Sequence, residues 1–75
     1  MTTSLRQRLI DATTSASKVE RILAAYMLAE LGNLPFETAA SLATKVEVSE
    51  PTVGRFCRAI GYNSFKDLKR NLRND

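Results

Sequence analysis

Histidine is absent from this 75-residue chain, cysteine occurs once, glycine three times and proline twice. Without histidine, a zinc site would have to be built from carboxylates and the single thiol of Cys57, and one cysteine excludes an internal disulfide. No metal and no cofactor are expected. So little glycine and proline, beside 44% hydrophobic and 25% charged residues, describes a soluble globular domain rather than a disordered or fibrous chain. Long apolar runs are missing too. The longest, residues 22–31, is about ten residues, against the roughly 20 that cross a bilayer. The N-terminal M-T-T-S-L-R-Q-R-L lacks the apolar segment of a secretory signal. A cytoplasmic location, with no membrane partner, is the expectation.

What is present fits one small domain over residues 1–75, of a size that buries only roughly 60% of its unfolded surface. That leaves no material for a deep catalytic cleft, and no acid–base pair or metal-ligand cluster stands out, so an enzyme is not expected. The net charge of +3 is unevenly placed. Arg6, Arg8, Lys18 and Arg21 in the first half are balanced by Asp11, Glu20, Glu30 and Glu37. From Arg55 to Arg73, by contrast, Arg55, Arg58, Lys66, Lys69, Arg70 and Arg73 face a single acid, Asp67. This half suits a polyanionic partner, and a merely solvated basic face is the alternative.

Periodicity predicts an all-α domain of five helices, at about 4–13, 18–31, 39–46, 50–60 and 65–73, with no period-two segment long enough for a strand. In the first, Leu5, Leu9 and either Ile10 or Ala12 form a stripe with the arginines opposite. Ser17-Lys18-Val19-Glu20 reads as a capping box opening the second helix. There Val19, Ile22, Leu23, Tyr26 and Met27 make a broad apolar set, expected to be covered on more than one side. Leu34 to Glu37 is a connector and Thr38 an N-cap. The fourth helix ends at Gly61, a left-handed C-terminal residue. Ser64 opens the fifth, which turns Phe65, Leu68 and Leu72 inward and Lys66, Lys69, Arg70 and Arg73 outward.

Residues 39–58 carry the informative spacing. Leu42, Ala43, Val46, Val48, Val53 and Phe56 suit two short helices joined by a tight turn, with small Ala43 at the close approach and Val48 plugging the turn. This is the helix-turn-helix pattern, and a plain αα-corner is the alternative. Glu47 departs from it, because such turns usually hold glycine; a left-handed glutamate costs about 1–2 kcal/mol.

The run V-S-E-P-T-V-G-R-F-C-R-A-I-G-Y from Val48 to Tyr62, followed by S-F-K-D-L-K from Ser64, resembles the N-terminal DNA-binding domain of the RpiR-type bacterial transcription regulators. The earlier S-K-V-E-R-I-L-A-A-Y-M-L stretch resembles that domain's second helix. The resemblance covers nearly the whole chain, most closely residues 41–72. It implies a wingless five-helix domain, usually followed by a sugar-isomerase-type domain that binds a phosphorylated sugar. These 75 residues do not include that second domain, so the chain is expected to be either a piece of a longer regulator or a stand-alone module, without a small-molecule site of its own.

The second helix of a helix-turn-helix enters the major groove, N-terminal part against base edges. With Val53, Phe56, Cys57 and Ile60 facing inward, Ser49, Glu50, Thr52, Gly54 and Arg55 form the base-facing set. Arg55 can bond guanine O6 and N7 together, or be an ordinary exposed arginine. Glu50 can accept from cytosine N4, or simply favour the helix N-terminus. Thr52 suits a thymine methyl or a phosphate, and Gly54 lets bare backbone come close. Pro51 fits as an early helical residue; a Ser49 cap must then use the Thr52 amide.

Phosphates are assigned to the amide ends at Thr38 and Ser64 and to Lys45, Arg58, Lys66, Lys69 and Arg70. Cys57 lies on the buried face with no histidine to activate it, which favours packing over nucleophilic chemistry. The expected function is sequence-specific binding of double-stranded DNA by a homodimer, joined through the first helix and the exposed side of the second. The alternative is a helical protein-interaction or dimerisation module that does not bind DNA.

Overall fold

The computed structural model describes residues 4–72, and they form the expected five helices: α1 (Leu5–Ala12), α2 (Lys18–Ala29), α3 (Ala39–Val46), α4 (Glu50–Ala59) and α5 (Phe65–Leu72). No strand occurs among the described residues. The expected end of α5 at Arg73 lies outside them. A 3₁₀ turn, Leu34–Phe36, lies within the expected connector. Pro35 favours it by supplying a fixed φ where no amide donor is needed.

Caps explain most boundaries. Ser4, Ser17, Thr38 and Ser49 each accept from the amide three residues on, satisfying a donor that a helix start leaves unpaired. The box at Ser17 is only half formed. Ser17 Oγ takes the Glu20 amide at 3.4 Å, but the Glu20 carboxylate takes the Ser15 hydroxyl, and Ser15 Oγ takes the Ser17 amide. The complete box is at α3, where Thr38 and Ser41 exchange both bonds at 2.9 and 3.0 Å.

α2 ends two residues before the expected Leu31. Glu30 leaves helical geometry there (φ −116, ψ 27), and the Leu34 amide returns to its carbonyl. α3 and α4 both end in a reversed turn of one kind. The Glu47 and Val48 amides bond the Thr44 and Ala43 carbonyls, and those of Gly61 and Tyr62 bond Arg58 and Cys57. Both turns pass through a positive φ, 63° at Glu47 and 106° at Gly61. This is the geometry that satisfies the last carbonyls of a helix.

α1 packs chiefly on α2 and α3 chiefly on α4, with α5 closing the core against α4, α1 and the 3₁₀ turn. Leu5, Leu9, Leu23, Met27, Leu34, Leu42, Val53, Cys57 and Leu68 are the largest fully buried side chains. Ala12, not Ile10, completes the α1 stripe. The broad apolar set expected of α2 is narrower than its sequence suggests: Leu23, Ala24 and Met27 are buried, whereas Val19 and Ile22 are exposed. α2 nevertheless meets α1, α3 and α4, with Tyr26 and Leu28 packed half-buried beside its buried residues. Helical periodicity registers apolar side chains but not how many neighbours a helix has.

Candidate nucleic-acid interface

The turn between α3 and α4 fixes everything that follows. Leu42, Ala43, Val53 and Phe56 are buried in the angle, and Val46 and Val48 pack half-buried against them. Alanine at position 43 keeps the backbones close where the two helices approach.

α4 is sharply two-sided. Val53, Phe56 and Cys57 are buried and Ile60 half-buried. Opposite them Ser49, Glu50, Arg55, Arg58 and Ala59 are exposed, with Thr52 and Gly54 half-exposed at the margin. Among the described residues no side-chain hydrogen bond or ion pair engages Glu50, Arg55 or Arg58, so both guanidinium groups are available to a ligand. Ser49 and Thr52 are more committed. Ser49 Oγ takes the Thr52 amide at 3.3 Å, as the absence of an amide proton on Pro51 requires, and the two hydroxyls share a 2.6 Å bond. A base contact by either competes with the cap.

Gly54 is not demanded by packing. A Cβ there would meet only Arg58 Nη1, at 3.4 Å, an ordinary contact. Glycine costs an exposed helix about 1 kcal/mol against alanine. The cost has no return inside the chain, which is consistent with close approach by something outside it.

The phosphate candidates fall into two groups. Lys66 and Arg70 are exposed on α5 and, with Lys69 and Pro35, line a shallow concavity of about 330 Å³. Lys69 is half-buried: its Nζ donates to the Glu37 carbonyl at 2.8 Å and lies 5.3 Å from the Phe65 ring. Lys45 is paired with Glu37 at 2.6 Å. The helix starts are occupied as well. Thr38 is locked in its box with Ser41, and Ser64 Oγ holds the Asp67 amide at 3.1 Å while the Asp67 carboxylate takes the Asn63 amide at 3.0 Å.

Glu37 was absent from the sequence-derived set, yet it organises this edge. It is 6% exposed, and its carboxylate accepts from Ser41 Oγ and from Lys45 Nζ, both at 2.6 Å. The Lys45 bond, then the Ser41 bond, hold its pKa below the usual carboxylate value, and Glu37 in turn raises that of Lys45. The spacing of Glu37, Ser41 and Lys45 at i, i+4 and i+8 was a readable signal. Arg8 was also missed: it reaches the far end of α4 and bonds the Ile60 carbonyl. No local pattern marks that contact, which spans 52 positions. Burial pushes the Cys57 thiol up to about 11, which keeps it protonated and unreactive.

Comparisons with known proteins agree with this geometry. The helix-turn-helix domain of the rpiR family matches residues 3–75. The HTH-type transcriptional regulator HexR of Escherichia coli (strain K12) is 43% identical over 56 residues, covering 75% of this chain and 19% of that protein. HexR of Pseudomonas aeruginosa is 33% identical over 69 residues, covering 92% of this chain and 24% of its own length. A solved structure, the Vibrio vulnificus NanR protein complexed with ManNAc-6P, superposes with a TM-score of 0.88 at 35% identity, over 96% of this chain and 27% of that one. The chain thus spans about a fifth to a quarter of the relatives it matches. With the buried angle between α3 and α4, the left-handed turn and the open face of α4 in place, the chain belongs to the rpiR family of helix-turn-helix domains, the DNA-binding domain of a transcription regulator.

Proposed function

We propose that α4 is the recognition helix and reads base edges in the major groove of double-stranded DNA. The observation that carries this is the state of Arg55, exposed and unengaged on the open face of a helix whose other face is buried. A guanidinium so placed can bond guanine O6 and N7 together, worth about 1–3 kcal/mol of discrimination. Glu50 stands five residues, about 1.4 helical turns, earlier, and Gly54 between them gives clearance. Lys66 and Arg70 are the phosphate contacts of α5, joined by Arg58; these positions fix register rather than sequence. Lys45 and Lys69 contribute less, because Glu37 already engages both.

One small module buries too little surface to be selective alone, so the acting form is a homodimer. Ile10, Val19 and Ile22, at 44%, 37% and 43% exposure, support a contact through α1 and the outer side of α2. We place the protein in the bacterial cytoplasm, on the nucleoid when bound. The Vibrio vulnificus NanR protein was solved with ManNAc-6P, and we place any response of this regulator to such a phosphorylated sugar outside these 75 residues. The role is binding, not catalysis.

Selection of bound duplexes from a random pool tests the reading. A recovered palindrome with fixed half-site spacing, whose preference at one guanine is lost in Arg55→Ala, is the expected outcome. A chain that enriches no sequence, and binds duplex no better than other polyanions, refutes it.

A further inference from the structure

The C-terminal end of α4 is held by a residue from the first helix. Arg8 of α1 crosses to the last turn of α4, where its Nη1 donates to the Ile60 carbonyl at 2.5 Å. That carbonyl is one of the acceptors a helix end leaves without an internal partner. The chain reverses immediately beyond it through Gly61, and the reversal brings the Tyr62 ring beneath the guanidinium, 5.3 Å from its carbon. A Cβ on Gly61 would collide with Arg8 Nη1. Glycine here therefore serves two ends: it accepts a φ of 106° and leaves the passage through which Arg8 reaches Ile60.

We propose that Arg8 is a positioning residue for DNA readout, which sets the pitch of α4 by pinning its C-terminal end to α1. This rests on the reading of α4 as the recognition helix. The N-terminal end of α4 is fixed by the reversed turn at Glu47 and by Val53 and Phe56 in the core. The other end meets α1 through Arg8. A ten-residue helix is about 15 Å long, so a tilt of about 4° about its fixed N-terminal end moves the far end by about 1 Å and Arg55, midway along, by about half that. Hydrogen bonds to base edges tolerate only a few tenths of an ångström, so such a tilt degrades base readout before it degrades general attraction to phosphate. Because α1 is also a proposed dimer helix, the same clamp sets α4 relative to the α4 of a second copy.

Arg8→Lys and Arg8→Ala test this in the 75-residue chain. Binding is measured, over a range of salt concentrations, to a duplex recovered by the wild type from a random pool and to a random duplex of equal length. Lysine keeps the charge but lacks the planar fork that bonds Ile60 while lying over Tyr62. The expected result is an affinity for the recovered duplex about tenfold weaker in both variants. Arg8→Lys should bind the random duplex within about twofold of wild type, with an unchanged salt slope. Gln7→Gly, which weakens α1 at an exposed site away from α4, should keep wild-type selectivity. Wild-type selectivity in Arg8→Lys, equal losses on both duplexes, or the same loss in Gln7→Gly overturns the proposal. A wild-type chain that recovers no sequence overturns the DNA reading itself, and the proposal with it.

Discussion

Lys45 Nζ stands 2.6 Å from Glu37 Oε2, and Glu37 is the one charged residue buried among the described residues. The pair ties the turn before α3 to the C-terminal half of that helix, while the Glu37 backbone carbonyl holds Lys69 of α5. Three elements meet at one glutamate. Glu37→Gln should therefore lower the melting temperature at neutral pH and free Lys45 for phosphate. The freed charge should steepen the dependence of log Kd on log salt by about one ion. Salt titrations of both proteins on random duplex check this.

The same pair predicts a pH dependence. The Glu37 pKa lies below the 4.5 of a free carboxyl, so its stabilisation is complete above 4.5 and is lost as pH falls through the lowered value. Glu37→Gln should flatten the acid limb of a plot of melting temperature against pH. At the alkaline end, Cys57 ionises at about 11 in the folded chain against 9.0 unfolded, so stability should decline between those values as the unfolded thiolate is favoured. The Lys45 pKa is raised as well, and its stabilisation disappears in the same direction as pH rises through it. Native Cys57 should also resist alkylation at pH 8 until the chain unfolds.

Glu47 pays for its φ of 63° with its Cβ. Glu47→Gly should stabilise the domain by about 0.5–1 kcal/mol, the relief of a left-handed residue less the extra freedom of unfolded glycine. Denaturant midpoints at constant m-value measure it.

Gly54→Ala should separate stability from binding. The Cβ has room in the free domain, so the variant should gain about 1 kcal/mol. Its affinity for the recovered duplex should nevertheless fall, because the methyl group occupies the clearance between Glu50 and Arg55.

Some of this was legible in the residues. The angle of the helix-turn-helix follows from apolar spacing over Leu42 to Phe56, and the left-handed residues at 47 and 61 follow from what a tight turn requires. These are local rules, acting within a few residues. The exposure of Val19 and Ile22 was not legible, since an apolar side chain in a helix is written identically whether it meets the core or another chain. Nor was the Arg8 contact, which exists only because α1 folds back on the end of α4. The five base-facing candidates lie on or beside the open face of α4, although Ser49 and Thr52 also serve as its cap. Among the phosphate candidates, Lys45 and Lys69 are diverted to Glu37 by packing that no charge count reports.

The most direct test of the central claim is an amide-shift titration of the labelled chain with duplex DNA at low salt. The account predicts that the largest changes fall on residues 49–58, with a second group on residues 64–70, and that Arg55→Ala removes the response to the recovered sequence but not to random duplex. Shifts confined to α1 and α2, or none at all, would contradict it.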